Sequence, residues 1–453
     1  MLRDSLNVSF KAIILIDQLL ATLSPTITAP GSDMASPLPF LTRQDKIVLE
    51  SLQDDITAGE HARENVAADD ARIEQLAAMA DSSDERFEPT VFTGYDLQWD
   101  TKDPMLLTLV KKYVLRPYIN WAQTVVRRPT DVVFLTHILL YISILPLSAA
   151  ILFYRFTWIH AVLHGVMVGA SCGPFTLLLH NHIHNGGIFN RSYAWFDHAF
   201  PYILEPLLGH TWDSYYYHHV KHHHVEGNGP GDLSSTIRYQ RDELLDFLIY
   251  TGRFLLFIWI ELPLYFYRKG QLRMAAQSFF SEQFSYFTIF ALSRVNFRAT
   301  MVTLLVPLIL MRIGMMVGNW GQHALVDEID PDSDFRSSIT LIDVPSNRFC
   351  FNDGYHTSHH LNPRRHWRDH PISFLKAKNK YSAEGALVFQ NIDYLMMTYH
   401  LIRKNYDHLA TCLIPIGDQI GKSPEELAAL LRTKTRRFTE EDIQRKYRKT
   451  VSK

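Results

Sequence analysis

Residues 158–185 read WIHAVLHGVMVGASCGPFTLLLHNHIHN, an apolar run that ends in three closely spaced histidines. Trp158 to Leu179 supplies 22 residues without one Asp, Glu, Lys or Arg. At about 1.5 Å per residue it is long enough to cross the ~30 Å hydrocarbon core of a bilayer. Just before it, Val132 to Tyr154 gives 23 mostly apolar residues, and only Arg155, Phe156 and Thr157 join the two. So short a link makes them a helical hairpin. Further along, Leu244 to Tyr267 is a third candidate span, weakened by Asp246, Arg253 and Glu261, and Ala299 to Gly318 a fourth, with Arg312 near its end. The aromatic-rich stretch Phe279 to Phe297 is open to three readings: a span, an interfacial segment, or an extension of either neighbour. The mean hydropathy of −0.07 averages these runs with long polar segments, so the membrane assignment rests on the segments themselves.

The expected fold is an all-α integral membrane protein of about four transmembrane helices, with a cytosolic helical cap that carries the histidines. Lys111, Lys112, Arg116, Arg127 and Arg128 precede the first span and favour a cytosolic N-terminal side. With four spans, Arg268, Lys269 and Arg273 would fall in a luminal turn, against that tendency. Residues 1–128 read as an acidic, partly helical extension, 129–374 as the membrane domain, and 375–453 as a helical tail with a basic end. Thr42 and Asp45 are spaced as a capping box, and the acidic helix that follows reads as solvated. Lys11 to Leu23 is too short to span and lacks a cleavage site, so no signal peptide is expected; Met34 offers a second start.

The net charge of −2 hides two unlike ends: residues 45–88 hold 13 acidic and 4 basic side chains, residues 432–453 hold 9 basic and 3 acidic. The basic end is short and has no aromatic stacking platform, so nucleic acid is not an expected partner. It reads as a solvated face, with anionic lipid headgroups as the other reading. Cys172, Cys350 and Cys412 are far apart, which points to neither a disulfide framework nor a thiolate zinc site.

The 22 histidines are concentrated, with 10 between His180 and His224 and 6 between His323 and His370. His180 and His184 lie four apart at the end of the second run, on one helical face. Such a pair alone is ordinary. The stretch YYYHHVKHHH then gives His219, His222 and His223 at i, i+3 and i+4, with His218 and His224 able to shift that register. YHTSHH repeats the arrangement as His356, His359 and His360. GNWGQH adds Asn319 and His323 at the exit of the last span. Nine imidazoles and one amide are too many for one tetrahedral zinc and suit two metals of coordination number four to six. Imidazole suits copper and zinc as well, so ligand type alone does not select the metal. Glu226, Asp232, Asp327, Glu328 and Asp330 lie close by in sequence, and some of them could accept the far N–H of a ligating ring.

These motifs resemble the membrane fatty acid desaturases and hydroxylases, with their three histidine boxes. His180 and His184 look like the first box, His219, His222 and His223 the second, and His356, His359 and His360 the third. Asn319 and His323 resemble the asparagine and histidine that precede the third box in stearoyl-CoA desaturases. The resemblance covers about residues 130–370. It implies two iron ions held by those ten residues, with O2 as co-substrate, and no catalytic group beyond the metal ligands. The implied activity is an O2-dependent oxidoreductase that introduces a double bond into a long acyl or alkyl lipid chain. Hydroxylation, epoxidation or acetylene formation at the same site is the alternative. The resemblance also implies the endoplasmic reticulum, with the boxes on the cytosolic side. The first box has three residues between its histidines where stearoyl-CoA desaturases typically have four, which counts against a coenzyme A ester as substrate. No cytochrome b5-type His-Pro-Gly-Gly motif occurs, so electrons are expected from a separate donor, of cytochrome b5 or ferredoxin type. A metal transporter is the distant rival; its histidines would line a path near mid-membrane, whereas His137, His160 and His164 form no set with the clusters. A zinc hydrolase would need a glutamate inside the first box, and none is there.

Overall fold

A computed structural model describes residues 41–59, 66–87, 89–92 and 108–447. The apolar run at Lys11 to Leu23, the second start at Met34 and the last six residues lie outside the described residues.

The first helix, α1 (Arg43–Ala58), begins at Thr42, whose side chain accepts from the Asp45 N–H. Helix α2 (Val66–Ala80) packs beside it. The solvated extension expected from the acidic composition is not what forms here. Ile47, Val48 and Leu52 are buried against Ile342, Tyr355 and Phe374, and the buried Asp45 accepts from Tyr355 Oη (2.7 Å) and Asn347 Nδ2 (3.0 Å). Charge counting missed this because a narrow apolar stripe suffices to dock a helix whose other faces stay charged.

The hairpin forms as α3 (Val132–Tyr154) and α4 (Trp158–Asn185). Helix α4 continues six residues past the apolar run and ends at Gly186, whose φ of 66° suits the left-handed C-cap that glycine adopts at little cost. A shorter helix, α5 (Trp195–Leu207), leads to a π-helical segment, Tyr216–His223. Then follow α6 (Leu244–Arg268), α7 (Leu272–Val295) and α8 (Val306–His323), the last preceded by the short turns Phe297–Thr300 and Met301–Leu305. Four helical stretches are long and apolar enough to cross a membrane: Pro129–Tyr154, Trp158–Asn185, Leu244–Arg268 and Phe297–His323.

Contacts at the helix ends fix their relative directions. Asp131, at the start of α3, meets His366 (2.7 Å) beyond the third box, and α4 returns to end on the first box. Asn296 donates to the Phe153 carbonyl (3.1 Å), and Leu152, Ala161 and Ala299 form a small cluster there, so this end lies opposite the histidines. Helix α8 rises from that end to His323. Helix α7, which runs into Asn296, must therefore start near the histidines, and its Met274 and Ala275 pack against the core that holds Tyr217. Helix α6 is tied to the histidine-bearing layer at both ends. Tyr250 Oη donates to the Ser234 carbonyl (3.3 Å), while Tyr265 Oη donates to Glu226 (2.6 Å).

A small sheet, absent from the all-α expectation, completes the histidine side. Strand β1 (Ile339–Ile342) pairs in parallel with β2 (Leu387–Gln390), which pairs antiparallel with β3 (Leu413–Ile414). Four- and two-residue strands leave almost no alternation to read in a sequence. The sheet anchors the third box: Leu341 N–H donates to the Gly354 carbonyl (2.7 Å), fixing the turn that feeds α9 (His356–Leu361). Helix α10 (Tyr394–Ile402) then packs on α8. Of the basic C-terminal segment, Lys434 is buried on Asp327, whereas Arg436 and Arg437 pair with Glu328 and Asp246 at the exposed surface, so the solvated reading fails for Lys434 alone of these three.

Candidate metal centre

The histidines converge in two adjoining groups. In the first, ligand atoms of His180 and His184 (α4), His219 (π-helix), His224 (just after it) and His359 (α9) all lie within 4.8 Å of one another. In the second, His223, His323 and His360 meet the same limit, and His356 Nε2 stands 3.0 Å from His323 Nε2. The His224 and His360 rings adjoin, 5.1 Å apart.

The spacing between nitrogens shows what the groups fit. Nε2 atoms are 3.1 Å apart for His180 and His359, 3.1 Å for His219 and His224, and 2.9 Å for His224 and His359. Metal–imidazole bonds of about 2.1 Å at a right angle put their nitrogens ~3.0 Å apart. So many ring nitrogens facing one another cannot all be satisfied by sharing single protons, and the buried Nε2 atoms of His184 and His360 have no hydrogen-bond partner. Burial, reinforced by the neighbouring imidazoles, holds His219, His224, His356 and His359 well below the usual histidine range, leaving them neutral with free lone pairs. Neutral, convergent imidazoles are the donor set that a pair of metal ions requires.

The second box departs from the expected register. In an α-helix His219, His222 and His223 would share a face, but i→i+5 hydrogen bonding brings His219 over His224 instead. His222 turns away, its Nε2 lying 3.2 Å from the Leu233 N–H, and groups with His218 and Asp232. His224, which could shift the register of the second box, takes the place beside His219. Its signal was the run of three consecutive histidines, which fits either register, and nothing in the composition announces a π-turn.

Two carboxylates face histidines of the two groups: Asp334 Oδ1 lies 3.4 Å from His360 Nδ1, and Asp232 faces His223. Asp232 Oδ2 lies 2.7 Å from His223 Nδ1, and its Oδ1 accepts from Ser234 N–H and Oγ, both 2.8 Å. Burial pushes the Asp232 carboxyl up, but His223 and its hydrogen bond outweigh this and hold it below the usual carboxylate range. The contact fixes His223 with Nδ1 protonated and Nε2 free toward the second group. Glu226 instead takes Tyr265 and Lys269, and Asp327 and Glu328 take Lys434 and Arg436. Asn319 donates its amide to Tyr250 Oη (2.6 Å) and the Ser234 carbonyl (3.0 Å), which leaves its oxygen uncommitted.

Beneath the groups a cavity of about 540 Å³ runs between α4 and α8. Gly165, Gly169, Gly314 and Gly318 line it, each with open space where a side chain would start. Its wall includes a buried ion pair, Arg312 to Glu282 (2.6 Å), which Tyr286 and Thr211 complete and which joins α8 to α7. Glu282→Ala strands a buried guanidinium, so a loss of about 3–5 kcal/mol of stability is expected. Thermal unfolding in detergent would show it as a large drop in Tm relative to Glu282→Gln.

Four helices long and apolar enough to cross a membrane, with grouped histidines above a cavity, define a membrane-type helical protein with a metal-binding donor set. The sequence profile of the fatty acid desaturase family matches residues 156–390, just over half of the chain, and the chain belongs to that family. No curated protein and no solved structure matches it significantly.

Proposed function

We propose that this protein is an O2-dependent desaturase that introduces a double bond into a long acyl or alkyl chain of a membrane lipid, using two irons. The observation that carries the reading is the pair of nitrogen groups at cis-ligand spacing, set over a cavity between spans. His180, His184, His219, His224 and His359 would hold one iron. His223, His323, His356 and His360 would hold the other, with the Asn319 oxygen beside them. The set thus keeps Asn319 and eight of the nine expected histidines, with His224 in place of His222. Bound there, the two irons supply activation of dioxygen and removal of hydrogen from an unactivated carbon. The chain's own residues do the rest: His219, His224, His356 and His359 are held neutral by burial, Asp232 fixes the His223 tautomer, and the cavity holds the substrate carbon in a water-poor slot. Electrons come from a separate one-electron carrier of cytochrome b5 or ferredoxin type, and the histidine side faces the cytosol, in the endoplasmic reticulum.

Mass spectrometry of lipids after expression in a host with a defined lipid pool tests the reading. A product two mass units lighter supports desaturation, one sixteen units heavier assigns hydroxylation or epoxidation to the same site, and unchanged lipids with several donors contradict the oxidase reading.

The orientation has its own test. With α6 tied at both ends to the histidine layer, α7 makes the third crossing. Arg268, Lys269 and Arg273 then lie on the cytosolic side, in keeping with the positive-inside tendency. Gln271→Cys is expected to react with a membrane-impermeant maleimide from the same side as Thr433→Cys. Labelling from opposite sides would return the crossing to α6.

A further inference from the structure

Two carboxyls line the cavity, Glu282 and Asp353. Glu282 is committed to Arg312. The Asp353 side chain has no hydrogen-bond or ion-pair partner among the described residues; it is partly buried and lines the cavity. Burying a carboxyl without a partner is costly, so one that persists at a reaction cavity calls for an explanation.

The backbone around it is built to present it. Phe351 and Asn352 both have left-handed φ, 59° and 58°, a conformation that bulky residues avoid. Their neighbours enforce it. Asn352 Nδ2 donates to the Trp367 carbonyl (2.9 Å), and Gly354 N–H to Asn347 Oδ1 (2.7 Å). A side chain at Gly354 would strike Asn347 Oδ1 and the Leu341 carbonyl, each 2.4 Å from where its Cβ would stand. The turn is therefore fixed from three sides, and Asp353 sits in it between the cavity and the third box.

We propose that Asp353 is the proton-exchange group of the reaction cavity, passing protons from the polar side of the protein to the water formed as dioxygen is reduced. The inference rests on the oxidase reading above. Desaturation balances as R–CH2–CH2–R′ + O2 + 2 e⁻ + 2 H⁺ → R–CH=CH–R′ + 2 H2O, with the electrons from the one-electron carrier. Two hydrogens come from the substrate, and two protons must enter a site walled by neutral imidazoles and apolar helices. Burial pushes the Asp353 carboxyl up to about 7, where it both gives and takes a proton at physiological pH. The titratable groups that its charge reaches are Tyr215, Cys350 and Tyr394, each held protonated by burial, so none competes with it near neutrality.

Two readouts test this on the full-length protein. In the metal-free form, pH-difference infrared spectra are expected to show a protonated carboxyl band that titrates between roughly pH 6 and 8 and is missing from Asp353→Asn. In the iron-loaded enzyme, Asp353→Asn is expected to lower turnover about 100-fold with unchanged iron content, to release peroxide in place of product, and to be rescued by Asp353→Glu. If the Asn variant does not accumulate, Asp353→Ser is read in the same way. A carboxyl band unaffected by the substitution, or wild-type turnover with product and O2 in the wild-type ratio, overturns the role of Asp353. A wild-type enzyme that oxidises no lipid while the infrared band behaves as expected overturns the oxidase reading instead.

Discussion

His224→Ala is expected to reduce turnover by more than about 100-fold and to lower the bound metal, while His222→Ala leaves a protein that still carries both metals and works. Loss of a group in the outer shell already costs about 10–100-fold, and loss of a direct ligand costs more. The contrast follows from the π-helix. His224 Nε2 lies 3.1 Å from that of His219 and 2.9 Å from that of His359, at the centre of the first group, whereas His222 Nε2 is occupied at the Leu233 N–H. His359→Ala, which removes the ring that touches both His180 and His224, belongs with His224→Ala. Steady-state product formation beside metal content per chain checks all three. If His222→Ala and His224→Ala exchanged behaviours, the segment would be α-helical in the loaded enzyme.

The second large effect is expected at Asp232. Asp232→Ala removes the acceptor of His223 Nδ1–H and of Ser234, leaving the His223 tautomer unset and a buried donor unpaired. A fall of about 10–100-fold in metal affinity is expected, with activity recovered in part by added iron. Asp232→Asn, which keeps an acceptor oxygen but not the charge, is expected to fall between. Iron titration followed by competition with a chelator measures this directly, and an affinity equal to that of the unsubstituted protein would remove Asp232 from the centre.

How legible this was in the sequence depends on which periodicity each element obeys. The hairpin could be read because α3 and α4 are long apolar runs bounded by Arg127, Arg128 and Arg155; α3 matches its run, and α4 continues six residues beyond its own. His180 and His184 could be paired because α4 stays α-helical through the box. In the second box α periodicity groups His219 with His222 and His223, whereas the π-turns of Tyr216–His223 bring His219 beside His224. The small sheet was invisible because β1 and β3 are too short to alternate. Helix α1 looked solvated because its burial rests on Ile47, Val48 and Leu52 amid many charges, with Asp45 buried against residues some 300 positions away. Long-range pairs of that kind, like Asp131 with His366 and Lys434 with Asp327, leave no local trace.

Helix α6 is the instructive case. It is long and apolar enough to span despite Asp246, Arg253 and Glu261, yet its tyrosines hold it to the layer of the second box at both ends. The basic turn after it, at odds with a luminal placement, is consistent with the proposed crossing by α7.

Iron analysis of the purified protein, reconstituted with ferrous iron, tests the account most directly. About two irons per chain are expected in the unsubstituted protein and in His222→Ala, and about one or fewer in His224→Ala, as nine imidazoles divided between two centres require. Zinc alone in the unsubstituted protein, or two irons retained in His224→Ala, would contradict it.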